Sequence, residues 1–137
     1  MNILKVLTDQ RVKGNIGEDA IVKYLKKKKY KILNRNYVAD GHEIDIIAEE
    51  KEHVCFVEVK TRTEGAKNPY DMLPKEAVDL KKQQSIIKAA RVYSASVGGK
   101  KKFRFDVAEV YLNQKRKVEK INYIENAFIQ GGDYAVL

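Results

Sequence analysis

Gly41-His42-Glu43-Ile44-Asp45-Ile46-Ile47-Ala48 and, after a short interval, Phe56-Val57-Glu58-Val59-Lys60-Thr61-Arg62 decide how this chain folds. Both runs are rich in β-branched and aromatic residues and read as strands. In the second, Cys55, Val57 and Val59 point to one face and Val54, Phe56, Glu58 and Lys60 to the other. Apolar side chains on both faces predict a central strand covered on each side. The interval holds no Asn-Gly or Gly-Gly to force a primed turn. A two-residue loop at Lys51-Glu52 and a four-residue loop over Glu50 to His53 give one register, with Glu49 opposite Val54 and Asp45 opposite Glu58. Cross-strand partners stand roughly 4.5–5.5 Å apart at Cβ, a spacing that suits two carboxylates sharing a divalent cation. Lys60 leans to the same face. Three ionisable groups inside an apolar pair of strands carry a desolvation cost of several kcal/mol unless partners or a metal compensate.

Upstream, residues 1–8 form a lead-in, and Asp9 to Lys29 is helical, with Ile16, Ala20, Ile21, Tyr24 and Leu25 on an apolar face. Glu18 lines up with Ile21, Val22 and Leu25, so it borders the buried stripe, where a helix-surface ion pair and a place in a site are equally open. Lys26 to Lys29 reads as a solvated last turn that complements the helix dipole. Tyr30 to Ala39 is a first strand with a polar middle, Asn34-Arg35-Asn36, and Asp40-Gly41 marks the turn out of it. Downstream, Thr63 to Leu73 has no periodicity and reads as a long loop leaving the strand that carries Lys60. A second helix is expected from Pro74 to about Val97, stopped by Gly98-Gly99. Lys82 lies on its apolar face one turn before Ile86, with Gln83 about 100° round. Lys102 to Leu112 alternates as a fourth strand, Val118 to about Tyr123 is an edge strand, and 131–137 is a loose tail. The predicted fold class is α/β: a mixed central sheet of about five strands flanked by helices, in the order αβββαββ.

The chain has 137 residues, enough for a single domain with one core, expected over about residues 9–129. With 27 Lys and Arg against 19 Asp and Glu, its formal net charge is +8. A basic balance favours polyanions, nucleic acid ahead of anionic membrane, although basic charge also serves solubility alone. The single cysteine, Cys55, excludes an internal disulfide and a multi-cysteine zinc site, and its apolar setting makes it a buried small hydrophobe. The sequence holds neither an apolar run of membrane-spanning length nor a signal-peptide pattern, so a cytoplasmic location is expected.

Two carboxylates meeting at one point, with a lysine two residues beyond one of them, suit metal-assisted phosphodiester cleavage. Asp45 and Glu58 offer oxygen ligands to a hard cation, the main-chain carbonyl of Val59 adds another, and Lys60 steadies developing negative charge. A buried Asp-Lys-Glu ion cluster with a purely structural job uses the same residues.

Ile44-Asp45 followed by Glu58-Val59-Lys60 resembles the core motif of the PD-(D/E)XK nuclease superfamily. More narrowly, Gly14-Asn15-Ile16-Gly17-Glu18-Asp19-Ala20, Glu43 to Ala48, Phe56 to Arg62, Arg104-Phe105-Asp106-Val107 and Glu125-Asn126-Ala127-Phe128 resemble the YraN-like family of uncharacterised endonuclease-like proteins. The resemblance covers roughly residues 12 to 129. It implies a restriction-endonuclease-like core, similar to archaeal Holliday-junction resolvases, and Mg²⁺-dependent cutting of DNA, with Mn²⁺ as a substitute. Carried across, Asp45 and Glu58 are metal ligands and Lys60 the catalytic lysine. Glu18 matches the first-helix acid that completes such sites, Glu43 assists, and Lys82 or Gln83 matches the polar group from the second helix. Ile44 stands where the superfamily motif has proline, and His42 where the family has a second glycine. His42, Arg62 and Lys67 are the candidate phosphate contacts. Resolvases act as dimers on two-fold junctions, so a homodimer is a possible partner, although no residue marks its face. The competing readings are a nucleic-acid-binding module with little turnover and a basic structural protein. RNA stays open as a substrate, because basic charge tracks phosphate whatever the sugar.

Overall fold

The computed structural model describes residues 2–63 and 78–128. In chain order they form α1 (Ile3–Lys27), β1 (Lys31–Ala39), β2 (His42–Glu49), β3 (His53–Thr63), α2 (Leu80–Val97), β4 (Lys102–Leu112) and β5 (Val118–Phe128). The strands make one five-stranded sheet in sequential order. Short reversals make β1–β2, β2–β3 and β4–β5 antiparallel, whereas the crossover through α2 returns β4 parallel to β3. This is the expected mixed α/β architecture of a restriction-endonuclease-like core.

Both faces of the sheet are covered, as the pattern of β3 requires. Phe56, Phe105 and Val107 pack with Ile86, Ala89, Ala90 and Tyr93 of α2. Cys55, Val57, Ala108 and Val110 pack with Ile21 and Leu25 of α1. Burial pushes the Cys55 thiol up to about 12, so it packs as an inert hydrophobe. Helix α1 crosses closest at Gly17, where an added Cβ would overlap Thr61 Oγ1 and lie 3.1 Å from Thr61 Cβ. Any side chain at Gly17 therefore pushes α1 away from β3. No helix among the described residues is long and apolar enough to cross a membrane.

Three boundaries differ from expectation. Helix α1 starts at Ile3 instead of Asp9, because the Asn2 side chain accepts from the Leu4 and Lys5 N–H groups and caps it. Helix α2 starts at Leu80, capped by Asp79, whose carboxylate accepts the Lys82 N–H at 2.8 Å. The expected start at Pro74, the preceding loop beyond Thr63 and the tail at 131–137 lie outside the described residues. Strand β5 runs five residues past Tyr123 to Phe128. Its far end is held by Asp106, fully buried on β4, which accepts from Tyr123 Oη at 2.6 Å and from the Asn126 N–H at 2.9 Å. Arg104 donates to the same carboxylate through Nε at 3.0 Å and Nη2 at 2.9 Å, and through Nη2 to Tyr30 Oη at 2.7 Å. A hydrogen-bonded ion pair thus ties β4, β5 and the start of β1 together.

Candidate active site

Strands β2 and β3 begin as an ordinary hairpin and then part. Their ladder runs from Glu49↔Val54 to Ile46↔Val57, in the expected register, and ends there. Beyond it β2 continues along β1 through Ile44↔Tyr37, and β3 continues along β4 from Glu58↔Val107 to Thr63↔Leu112. Strict alternation would put Ile44 and Ile46 on one face, yet Ile44 joins the α2 cluster and Ile46 the α1 cluster, so β2 changes phase around Asp45. Asp45 and Glu58 therefore flank a fork in the sheet and do not form the cross-strand pair that simple counting implies. The Asp45 carboxylate supplies what the ladder lacks, accepting the Val59 N–H at 2.8 Å. A cavity of about 430 Å³ opens at the fork, lined by Gln10, Lys13, Gly14 and Glu18 of α1 and by Asp45, Glu58, Val59 and Thr61.

Three carboxylates, Glu18, Asp45 and Glu58, meet three lysines, Lys13, Lys60 and Lys82, at the fork. The Glu58 side chain is 7% exposed; Lys60 Nζ lies 3.7 Å from its Oε1 and Lys82 Nζ 4.0 Å from its Oε2. Among the described residues Glu58 Oε2 has no hydrogen-bond partner. Burial, then the charges of Glu58, Glu18 and Glu43, push the half-buried Asp45 carboxyl up to about 7 against the opposing Val59 N–H. Burial also raises Glu58, opposed by Lys82 and Lys60. A carboxyl that binds its proton more tightly in the folded state stabilises the fold while protonated. That stability is complete below the ordinary carboxylate range and is lost as pH rises toward about 7. Metal-free protein should accordingly melt about 3 °C or more higher at pH 5.5 than at pH 8. Calorimetric melting in EDTA at both pH values checks this; a melting temperature that rises with pH would refute it.

The expected site residues divide into those at the fork and those engaged elsewhere. Glu18, Asp45, Glu58, Val59, Lys60 and Lys82 gather there. Glu43 is joined to Glu18 through Asn36, whose Nδ2 lies 3.0 Å from Glu18 Oε1 and 3.1 Å from Glu43 Oε1. Gln83 is buried and donates to the Val78 carbonyl at 2.9 Å, so of the two α2 candidates Lys82 is the one beside Glu58. Arg62 donates through Nε to the fully buried Glu109 at 2.6 Å. His42 is half-buried at the start of β2, paired with Ala39 after the Asp40-Gly41 turn. Lys67 lies outside the described residues. Asn36, Gln10, Lys13 and Glu109 were not singled out from sequence. For Asn36 the available signal was the polar interruption of β1.

The donor set fits a hard cation in kind: carboxylate oxygens whose proton affinity burial and then acidic neighbours raise, one of them an oxygen on a buried side chain without a hydrogen-bond partner among the described residues. Among the described residues no three His, Cys, Asp or Glu side chains converge as a ready-made metal cage; Asp45 and Glu58 are the two carboxylates that would offer oxygens to a cation, with Glu18 lining the same cavity.

A model of the Uncharacterised protein family UPF0102 matches residues 17–110, which include α1 from Gly17, the fork and most of β4. Among curated proteins, a UPF0102 protein of Caldanaerobacter subterraneus subsp. tengcongensis is 48% identical over 122 residues, covering 88% of this chain and 97% of that protein. One from Caldicellulosiruptor saccharolyticus is 43% identical over 121 residues, covering 88% and 99%. One from Alkaliphilus oremlandii is 47% identical over 118 residues, covering 84% and 96%.

Proposed function

Since this chain belongs to the UPF0102 family, the YraN-like proteins, we propose that its fork is the active site of a divalent-cation-dependent endonuclease that hydrolyses phosphodiester bonds in DNA. The observation that carries this reading is the pairing of Asp45 and Glu58 at the end of the β2–β3 ladder, with Glu58 Oε2 unpartnered among the described residues and Lys60 3.7 Å from Oε1. Asp45 and Glu58 would hold the cation, with Glu18 and the Val59 carbonyl as further oxygens. Mg²⁺ or Mn²⁺ bound there supplies Lewis-acid polarisation of a phosphoryl group.

The chain's own residues do the rest. The Val59 N–H holds the Asp45 carboxylate in one orientation, leaving its other oxygen for the cavity. Lys60, about one-third exposed, offers its ammonium to negative charge developing on the phosphate. Lys82, 4.0 Å from the Oε2 of Glu58 and beyond hydrogen-bond reach, joins Lys60 in offsetting the charge of a buried carboxylate. The net charge of +8 draws a polyanion to the surface. The basic net charge of +8 also supports a second reading, a nucleic-acid-binding module with little turnover.

The test is a panel of four-way junction, flap, single strand, linear duplex and RNA, incubated with Mg²⁺, Mn²⁺ or EDTA. Metal-dependent internal cleavage is expected, and its preferred member names the substrate class. Salt-sensitive binding without cleavage would select the binding module, and neither would remove both readings.

A further inference from the structure

Asn36 is placed where no regular strand residue would be. It stands between the ladder pairs Arg35↔Ile46 and Tyr37↔Ile44, directly across β1–β2 from Asp45, with a left-handed φ of 50°. A residue with a Cβ adopts that conformation in mid-strand at a cost, and Asn is among the few that tolerate it. The exposed Asn36 turns its amide toward Glu18 of α1 and Glu43 of β2, on the solvent side of the fork. There Nδ2 lies 3.0 and 3.2 Å from the two oxygens of Glu18 and 3.1 Å from Glu43 Oε1. One neutral NH₂ group places its two protons on two carboxylates that would otherwise repel. Glu18 has a second suitor: Arg35 Nη2 stands 3.6 Å from its Oε1 while bonded at 2.8 Å to Asp19 on the outer side of α1. Without the amide, Glu18 keeps the guanidinium at 3.6 Å as its ion-pair neighbour, on the side toward Asp19 and away from the cavity that Glu18 shares with Asp45 and Glu58.

We propose that Asn36 is a positioning residue of the fork: its amide fixes Glu18 beside Asp45 and thereby sets the affinity of the site for a divalent cation. The inference rests on the reading of the fork as a cation site and adds to it a residue that does not line the cavity. It also gives the left-handed kink a purpose, because the same backbone conformation with a shorter side chain would not span α1 and β2.

The kink makes the test clean. Glycine adopts a φ of 50° more easily than any other residue, so Asn36→Gly keeps the backbone and removes only the amide. Mn²⁺ binding at pH 8 is measured by titration calorimetry for the parent, Asn36→Gly, Glu18→Gln and the double variant, with metal-free melting as the folding control. Asn36→Gly is expected to weaken Mn²⁺ binding about tenfold, as loss of an outer partner of a metal ligand does, with the melting temperature unchanged or raised. In the Glu18→Gln background the same change should add nothing. Unchanged Mn²⁺ affinity in Asn36→Gly would reduce Asn36 to a backbone device and overturn the inference, leaving the proposed function intact. A full tenfold loss in the Glu18→Gln background would show that Asn36 acts through another group, and would overturn the inference in the same way. A parent that takes up no Mn²⁺ would remove the cation site and the inference together. Should Asn36→Gly not fold, Asn36→Asp, which tolerates the same φ and cannot donate to the carboxylates, enters the same two comparisons.

Discussion

Asp45→Ala should lower cleavage about a thousandfold or more in saturating Mg²⁺, while nucleic-acid binding stays intact or tightens. The size follows from the position of Asp45. Among the described residues it is one of three carboxylates lining the cavity, with Glu58 and Glu18, and it alone is held at the end of the β2–β3 ladder by the Val59 N–H, so its removal takes away the oxygen donor nearest the fork. The direction of the binding change follows from charge: a carboxylate that repels phosphate has gone, and the basic surface is untouched. Folding should survive, because Asp45 burdens the metal-free fold above pH 7, its carboxyl being pushed up to about 7 by burial and acidic neighbours. Asp45→Asn is the stricter partner variant, since its amide oxygen can still accept the Val59 N–H. Single-turnover cleavage and anisotropy titration, run side by side, separate the two effects. A variant that cuts at the parental rate would sink the assignment of the site.

Asp106→Ala is expected to destabilise by about 3–5 kcal/mol, which lowers the melting temperature by roughly 10 °C or more in a domain of this size. Asp106 is fully buried and serves Arg104, Tyr123 and the Asn126 main chain at once. Its loss leaves a guanidinium that is 9% exposed with the exposed Glu125, at 3.8 Å, as its remaining carboxylate among the described residues, and leaves the half-buried Tyr123 hydroxyl without its acceptor. The far end of β5 and the start of β1 lose their common anchor. Denaturant unfolding monitored by circular dichroism measures the loss, and a change under about 1 kcal/mol would show the network to be energetically idle. The double replacement Arg104→Met with Asp106→Leu should recover part of the stability, because a buried pair removed whole is far less costly than one broken in half.

These two aspartates were not equally legible. Asp45, Glu58 and Lys60 stood out because charge interrupts a period-two apolar pattern, and the hairpin register followed from counting back from Glu49 and Val54. The fork did not follow, because the point where a ladder ends depends on twist and on what β1 and β4 take from each strand. Glu18 could be placed on the border of a helical stripe, but its neighbours Asn36 and Glu43 belong to other elements, and their meeting depends on one positive φ. Lys82 and Gln83 differ by a single helical step, and only packing shows that Gln83 turns inward to Val78. The reach of β5 was hidden for the same reason: Glu119 to Asn126 is polar enough to read as an edge giving way to a tail, until Asp106 is seen to hold its end.

Cys55 carries a practical consequence. It is the only cysteine in the chain, fully buried, with its thiol held protonated well above neutral pH. Thiol-directed reagents act on exposed thiolates, so the native protein offers them no target. A single cysteine introduced on an exposed position of α2, such as Lys88, would be the sole point of attachment without prior removal of any residue. A nitroxide placed there reports its distance to a paramagnetic Mn²⁺ ion directly. The fork could then be located by spectroscopy in a protein altered at one surface residue.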